Sequence, residues 1–169
     1  MSVARDPSAR RRVERELRAL VARLVPGAKI YFPRRSRPGG PTRYSWNGRH
    51  LRPTGLTLES QCHEVAHLLV SDPARRAYNE FGLGADPYRH SDAPRVAEQA
   101  VADREEEDAC TMQLVLVRAL GLDEAAVEVE VYTGPLTPLR VRELRRRCGH
   151  ALPDEWWRRA EGPFAADRG

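Results

Sequence analysis

The chain has 169 residues, of which 41% are hydrophobic and 31% charged, and its net charge is +4. That length leaves room for one domain with a buried core, and the composition excludes a transmembrane protein, a collagen-like fibre and a fully disordered chain. So small a charge makes no case for nucleic acid by itself, and three scattered cysteines (Cys62, Cys110, Cys148) form neither a disulfide framework nor a CxxC site, so a reducing cytoplasm is the plain expectation.

No window approaches the roughly eighteen apolar residues of a membrane span. The longest apolar run, Leu114 to Val117, ends at Arg118, and Met1 to Arg12 has charge but no apolar centre of the secretory kind. Lys29 is the only lysine, and the stretch from Arg34 to Arg52 holds six arginines and no acid. Such a stretch reads as a solvated loop or as a basic patch for a nucleic acid or an acidic partner.

In chain order, residues 1–8 read as a flexible basic arm. Val13, Leu17, Leu20, Val21 and Leu24 recur at helical spacing, predicting a helix over Ala9–Leu24 that Pro26-Gly27 stops. Ala28 to Phe32 is a strand candidate, followed by a Pro/Gly/Arg loop. Arg43 to Leu51 reads as a hairpin turning at Asn47-Gly48. Thr57 caps a second helix to Val70, and Ser71-Asp72-Pro73 breaks it. A third helix spans Pro94–Leu120 and ends at Gly121. Val127–Tyr132 alternates as a strand, Thr137-Pro138 opens a fourth helix to Cys148, and Pro153–Ala160 forms a last turn or two in which Trp156-Trp157 anchors the C-terminal segment. Residues 161–169 read as a flexible tail. The order of elements predicts one α+β domain over 1–169.

The sharpest motif is His63-Glu64-Val65-Ala66-His67. Residues four apart on a helix share a face, so the two imidazoles suit one tetrahedral zinc. Glu64, beside the first histidine, is placed to take a proton from a zinc-bound water. A third ligand is needed. Val70 and Pro73 stand where the metzincin pattern requires glycine and histidine, which excludes that branch. The third helix offers Glu98, Glu105, Glu106, Glu107 and Asp108. On a helical wheel, Thr111 and Arg118 mark its exposed side, which Glu107 shares. Ala102, Ala109, Leu116 and Leu120 mark its buried side, and Glu105 and Glu106 flank that stripe. A carboxylate beside an apolar stripe needs a partner, and a metal provides one. Glu105 or Glu106 is then the ligand, with the balance tipped slightly to Glu106, and the other is placed to orient a ligand histidine. His90, in the loop after His67, is the competing ligand. Tyr78, Tyr88, Arg89, His90 and Tyr132 are candidate donors to an oxyanion. Cys62 reads as a small buried apolar residue.

This HExxH motif, followed by a glutamate-bearing helix, resembles the gluzincin group of zincin metallopeptidases, and among small members the ImmA/IrrE type; together with Phe81-Gly82-Leu83-Gly84 and Glu105-Glu106-Glu107-Asp108-Ala109-Cys110 it is also similar to phage and bacterial HExxH proteins of similar length. The resemblance covers Leu58 to Gly121. It implies a zincin-like minimal domain in which helices pack on a small, mostly antiparallel sheet, with the HExxH helix and the glutamate-bearing helix adjacent. Against the Glu-Ala-Asn pattern of the ImmA type the chain aligns Asp108-Ala109-Cys110, which keeps Asp108 among the possible ligands. The implied activity is hydrolysis of a peptide or protein substrate with Zn2+ as cofactor and Glu64 as general base. The competing expectation is a metal-binding regulatory module that uses the arginine-rich loop.

Overall fold

The computed structural model describes residues 6–33, 44–53, 57–85, 92–127 and 134–165, with side chains as far as residue 162. Among the described residues, five α-helices and one pair of very short strands make a mostly helical α+β fold. Helix α1 is Pro7–Leu24, β1 is Lys29–Ile30, β2 is His50–Leu51, α2 is Leu58–Val70, α3 is Gln99–Ala119, α4 is Pro138–Cys148 and α5 is Asp154–Ala165.

Helix α1 starts two residues before the expected point because Asp6 caps it. The Asp6 carboxylate accepts the Ser8 N–H at 2.8 Å, and Pro7 sits in the first turn, where no N–H is needed. Its apolar face, Val13, Leu17, Leu20 and Val21, is buried against α2 and β1. Gly27, at φ 82°, turns the chain into β1.

The sheet differs from the mostly antiparallel one expected. Strands β1 and β2 pair in parallel, Lys29 with His50 and Ile30 with Leu51. The hairpin is present but shrinks to a single antiparallel bridge, Trp46 with Leu51. Its backbone groups are taken by another segment: the Trp46 carbonyl accepts the Glu80 N–H at 2.9 Å, and Asn47 bridges to Asn79. The Asn47 side chain closes the turn by accepting the His50 N–H at 2.8 Å. Gly48 has φ 82°, and a Cβ there would lie 2.8 Å from the Ala77 carbonyl oxygen, so this turn packs against the segment after α2 only with glycine in place.

Helix α2 is capped by Thr57, whose hydroxyl accepts the Ser60 N–H at 3.1 Å. After it, Asp72 caps a turn of 3-10 helix over Pro73–Ala77. Helix α3 begins at Gln99 instead of Pro94. The Val96 and Ala97 N–H groups both donate to the Gly82 carbonyl, at 2.8 and 3.0 Å, which holds that stretch outside the helix. Nor is α3 the one-sided helix that the wheel implies. Every residue from Ala109 to Val117 is buried, because α2, α4 and α5 all pack on it. Thr111, expected on the exposed side, lies under α4 and accepts from Arg140 at 2.6 Å.

Val127 closes a 3-10 turn over Glu124–Ala126, and the rest of the strand expected over Val127–Tyr132 lies outside the described residues. Helix α5 is longer than expected and takes in residues 161–165 of the supposed tail. Trp157 is fully buried and donates its indole N–H to the Gly149 carbonyl at 3.2 Å, tying α5 to the end of α4. Among the described residues no helix is long and apolar enough to cross a membrane.

Candidate metal centre

Helices α2 and α3 make the most extensive contact in the fold, and they run antiparallel. Glu59, at the start of α2, meets Gln113 through its carbonyl, while His67, a little over two turns on, meets Glu106. The histidine face of α2 therefore looks at the stretch of α3 that carries the acidic run.

There His63 Nε2 lies 3.4 Å from Glu106 Oε1, and His67 Nε2 lies 3.3 Å from Glu106 Oε2. The two Nε2 atoms are 3.1 Å apart. A tetrahedral ion with bonds of about 2.0–2.2 Å has ligand-to-ligand edges of about 3.3–3.6 Å. The two imidazoles and the carboxylate stand close to that spacing, His63 toward one oxygen of Glu106 and His67 toward the other. Of the carboxylates weighed from the sequence, Glu106 is the one brought to the histidines. Glu105 turns instead to Arg75, with which it is ion-paired. Asp108 pairs with Arg147 on α4 at 2.5 Å. Glu107 is exposed. His90 lies outside the described residues, as do Tyr88, Arg89 and Tyr132, while Tyr78 is largely exposed.

Two further residues join the centre. Cys110, one turn beyond Glu106, places its Sγ 3.9 Å from Glu106 Oε1. His63, Glu106 and Cys110 form a group whose ligand atoms all lie within 4.8 Å of one another and could hold a metal ion. Gln113, a turn further along the same stripe of α3, meets His63 Nδ1 with its Oε1 at 3.2 Å. Its Nε2 donates to the Glu59 carbonyl at 3.0 Å, which fixes the amide orientation. Oε1 must then accept, so His63 Nδ1 carries a proton and Nε2 is the nitrogen left for a metal. The signal for both residues was present in the sequence as spacing: 106, 110 and 113 recur at helical intervals, but on a stripe marked by polarity and not by apolar residues.

Without a metal the cluster shares protons. Burial pushes the His63 imidazole down, but contacts with Cys110 and Glu106 and the charges of Glu64 and Glu106 outweigh it, and the group is pushed up to about 11. Hydrogen bonds from His63 and His67 hold the Glu106 carboxyl well below the usual carboxylate range, against its burial. Burial raises Glu105, and Arg75 offsets part of that. Among the described residues, two buried polar atoms beside the cluster have no hydrogen-bond partner, His67 Nδ1 and Glu105 Oε2.

The wall of the centre is aromatic. The Phe81 ring stacks on His67, and Trp46 stacks on Phe81 with centroids 5.6 Å apart. The Trp46 indole N–H is fixed by the Arg76 carbonyl at 2.7 Å. Cys62 is fully buried in the apolar core, and burial pushes its thiol far up. Of the arginine-rich stretch, residues 34–43 lie outside the described residues, Arg49 is exposed and Arg52 lies over the Tyr31 ring at 5.2 Å.

No protein-family model matches the chain, and neither the curated proteins nor the solved structures contain a match.

Proposed function

We propose that the chain is a zinc-dependent peptidase whose centre is held by His63, His67 and Glu106. The observation that carries this reading is the meeting of the HExxH histidines with one carboxylate of the adjacent antiparallel helix, at distances suited to a small tetrahedral cation. The donor set, two imidazoles and a carboxylate, is of the kind zinc takes in hydrolytic centres. When bound, zinc supplies Lewis acidity, polarising a substrate carbonyl and lowering the pKa of water toward ~7.

The chain's own residues supply the rest. Gln113 holds His63 in the tautomer that presents Nε2. Phe81 fixes the plane of the His67 ring. Glu64, half-buried beside His63, is the carboxylate that takes a proton from the attacking water and returns it to the departing amine. A general base of this kind has no task in a purely structural zinc site, which favours hydrolysis over a scaffold role.

The test is Glu64→Gln, which keeps the size of the side chain and removes its basicity. Zinc content and melting temperature should stay close to the parent. Cleavage of any peptide that the parent cuts, found with a peptide library, should fall by at least ~10²-fold. Equal cleavage by parent and variant would overturn the reading. Salt-sensitive binding of nucleic acid by a protein that cuts nothing would put the regulatory module in its place.

A further inference from the structure

Helix α2 offers His63 and His67 four residues apart, and α3 answers with Glu106 and Cys110 at the same spacing. We propose that Cys110 is a fourth protein ligand, whose thiolate occupies the position that a peptide-cleaving centre keeps open and so holds the centre closed at rest.

Three observations carry this. First, the Cys110 sulfur, the Glu106 carboxylate and the His63 imidazole converge with ligand atoms within 4.8 Å of one another. Zinc–sulfur bonds are about 2.3 Å long, so a modest inward movement suffices. Second, the three cysteines are all buried and free, but they are buried differently. Cys62 and Cys148 belong to the apolar core cluster, whereas Cys110 stands outside it, with its sulfur turned toward polar ligand atoms. Third, the charges balance. Counting ligands alone, two neutral imidazoles and one carboxylate leave a divalent cation with one positive charge in a half-buried place. A thiolate cancels it, and buried charge is tolerated when it is compensated.

On metal binding the Cys110 S–H bond breaks, its proton passes to solvent and a sulfur–metal bond forms. Opening reverses this: the sulfur–metal bond breaks, the thiolate regains a proton and the position is free for water. No electrons are transferred. The closing role rests on the peptidase reading, while the ligation itself does not.

The experiment loads the full-length metal-free chain with cobalt(II) and records its absorption. The parent should show a near-ultraviolet thiolate-to-cobalt charge-transfer band. Cys110→Ser should lose that band and keep cobalt bound through the remaining ligands, whereas Cys62→Ala should keep it. X-ray absorption of the zinc-loaded parent needs no variant and should find one sulfur at about 2.3 Å. Circular dichroism checks that the variants are folded. A parent that binds cobalt without the band, or zinc without a sulfur neighbour, overturns the proposal and leaves the peptidase reading standing. A band in the parent, with no Glu64-dependent cleavage in either the parent or Cys110→Ser, upholds Cys110 as ligand and overturns the peptidase reading. Faster cleavage by Cys110→Ser than by the parent supports both.

Discussion

The Phe81 ring lies face to face with the imidazole of His67, with centroids 5.9 Å apart and planes 18° from parallel. The backbone beneath it is strained. Glu80 and Phe81 both have left-handed φ angles, 48° and 56°, which cost about 1–3 kcal/mol each in residues other than glycine. Side chains hold the strain in place. The Glu80 carboxylate accepts the Ser45 N–H at 2.6 Å and its hydroxyl as well, and Arg75 donates to the Phe81 carbonyl at 3.0 Å. The same Arg75 is ion-paired with Glu105, one residue from Glu106. The strained turn, the aromatic stack and the acidic run are therefore one connected structure around the metal ligands.

The first prediction follows from that connection. Phe81→Ala should lower stability by about 3–5 kcal/mol, the usual cost of emptying a buried aromatic site. Phe81→Leu keeps most of the apolar volume but not the flat face against His67. It should melt near the parent and bind zinc more weakly, measured by competition with a chromophoric chelator. Parent-like affinity in Phe81→Leu would show that the ring plane does not matter.

A second prediction contrasts three neighbouring acids on α3. Glu106 contacts both histidines, so Glu106→Ala should abolish tight zinc binding. Glu105 acts on His67 by charge and anchors Arg75, so Glu105→Ala should weaken binding by roughly 10–100-fold, as removal of a ligand's support does. Glu107 faces solvent, and Glu107→Ala should leave affinity unchanged. Titration calorimetry on the three variants reads all of this, and a Glu106→Ala protein that still binds zinc tightly would remove that residue from the centre.

Much of this arrangement is legible in the sequence and some is not, for physical reasons. Caps and breakers announce the helices: Thr57 ahead of α2, Thr137-Pro138 ahead of α4, Gly121 after α3. The HExxH spacing brings His63 and His67 to one face whatever packs on it. The choice among Glu105, Glu106 and Asp108 stays open because a helical wheel assumes one buried face, and α3 is buried on several sides through its second half. Cys110 and Gln113 escape notice because the stripe they form with Glu106 is polar. The parallel pairing of β1 with β2 depends on what the Trp46 and Asn47 backbones find across the fold, at Glu80 and Asn79. The left-handed turn at Glu80-Phe81 carries no local mark, since neither residue is a glycine.

Gln113 supplies the third prediction. Its amide accepts from His63 Nδ1 and donates to the Glu59 carbonyl, so it both sets a tautomer and ties α3 to α2. Gln113→Leu removes the acceptor and leaves His63 Nδ1 facing an apolar group. Zinc affinity should fall by roughly 10–100-fold, in line with other losses of a histidine's supporting hydrogen bond. Gln113→Glu restores an acceptor and should recover much of that loss, whereas a purely structural role would respond alike to both substitutions.

The last prediction concerns the metal-free protein and pH. Glu106 sits below its ordinary value of 4.5 in the folded chain, so its contribution to stability is present above that value and is lost as pH falls through the depressed one. His63 is raised from 6.5 to about 11, so its contribution is complete below 6.5 and is lost as pH rises toward 11. Both are present together between about 4.5 and 6.5. With chelator in the buffer, the melting temperature of the parent should exceed that of Glu106→Gln most in this window, and the difference should shrink on either side. Zinc should reverse the upper limb, because a metal needs His63 Nε2 unprotonated and binds better as protons leave. Thermal melts of both proteins across this range, with chelator and with zinc, test the two signs separately. A parent–variant difference that stays flat with pH under chelation would mean that the Glu106–histidine cluster does not share its protons as described.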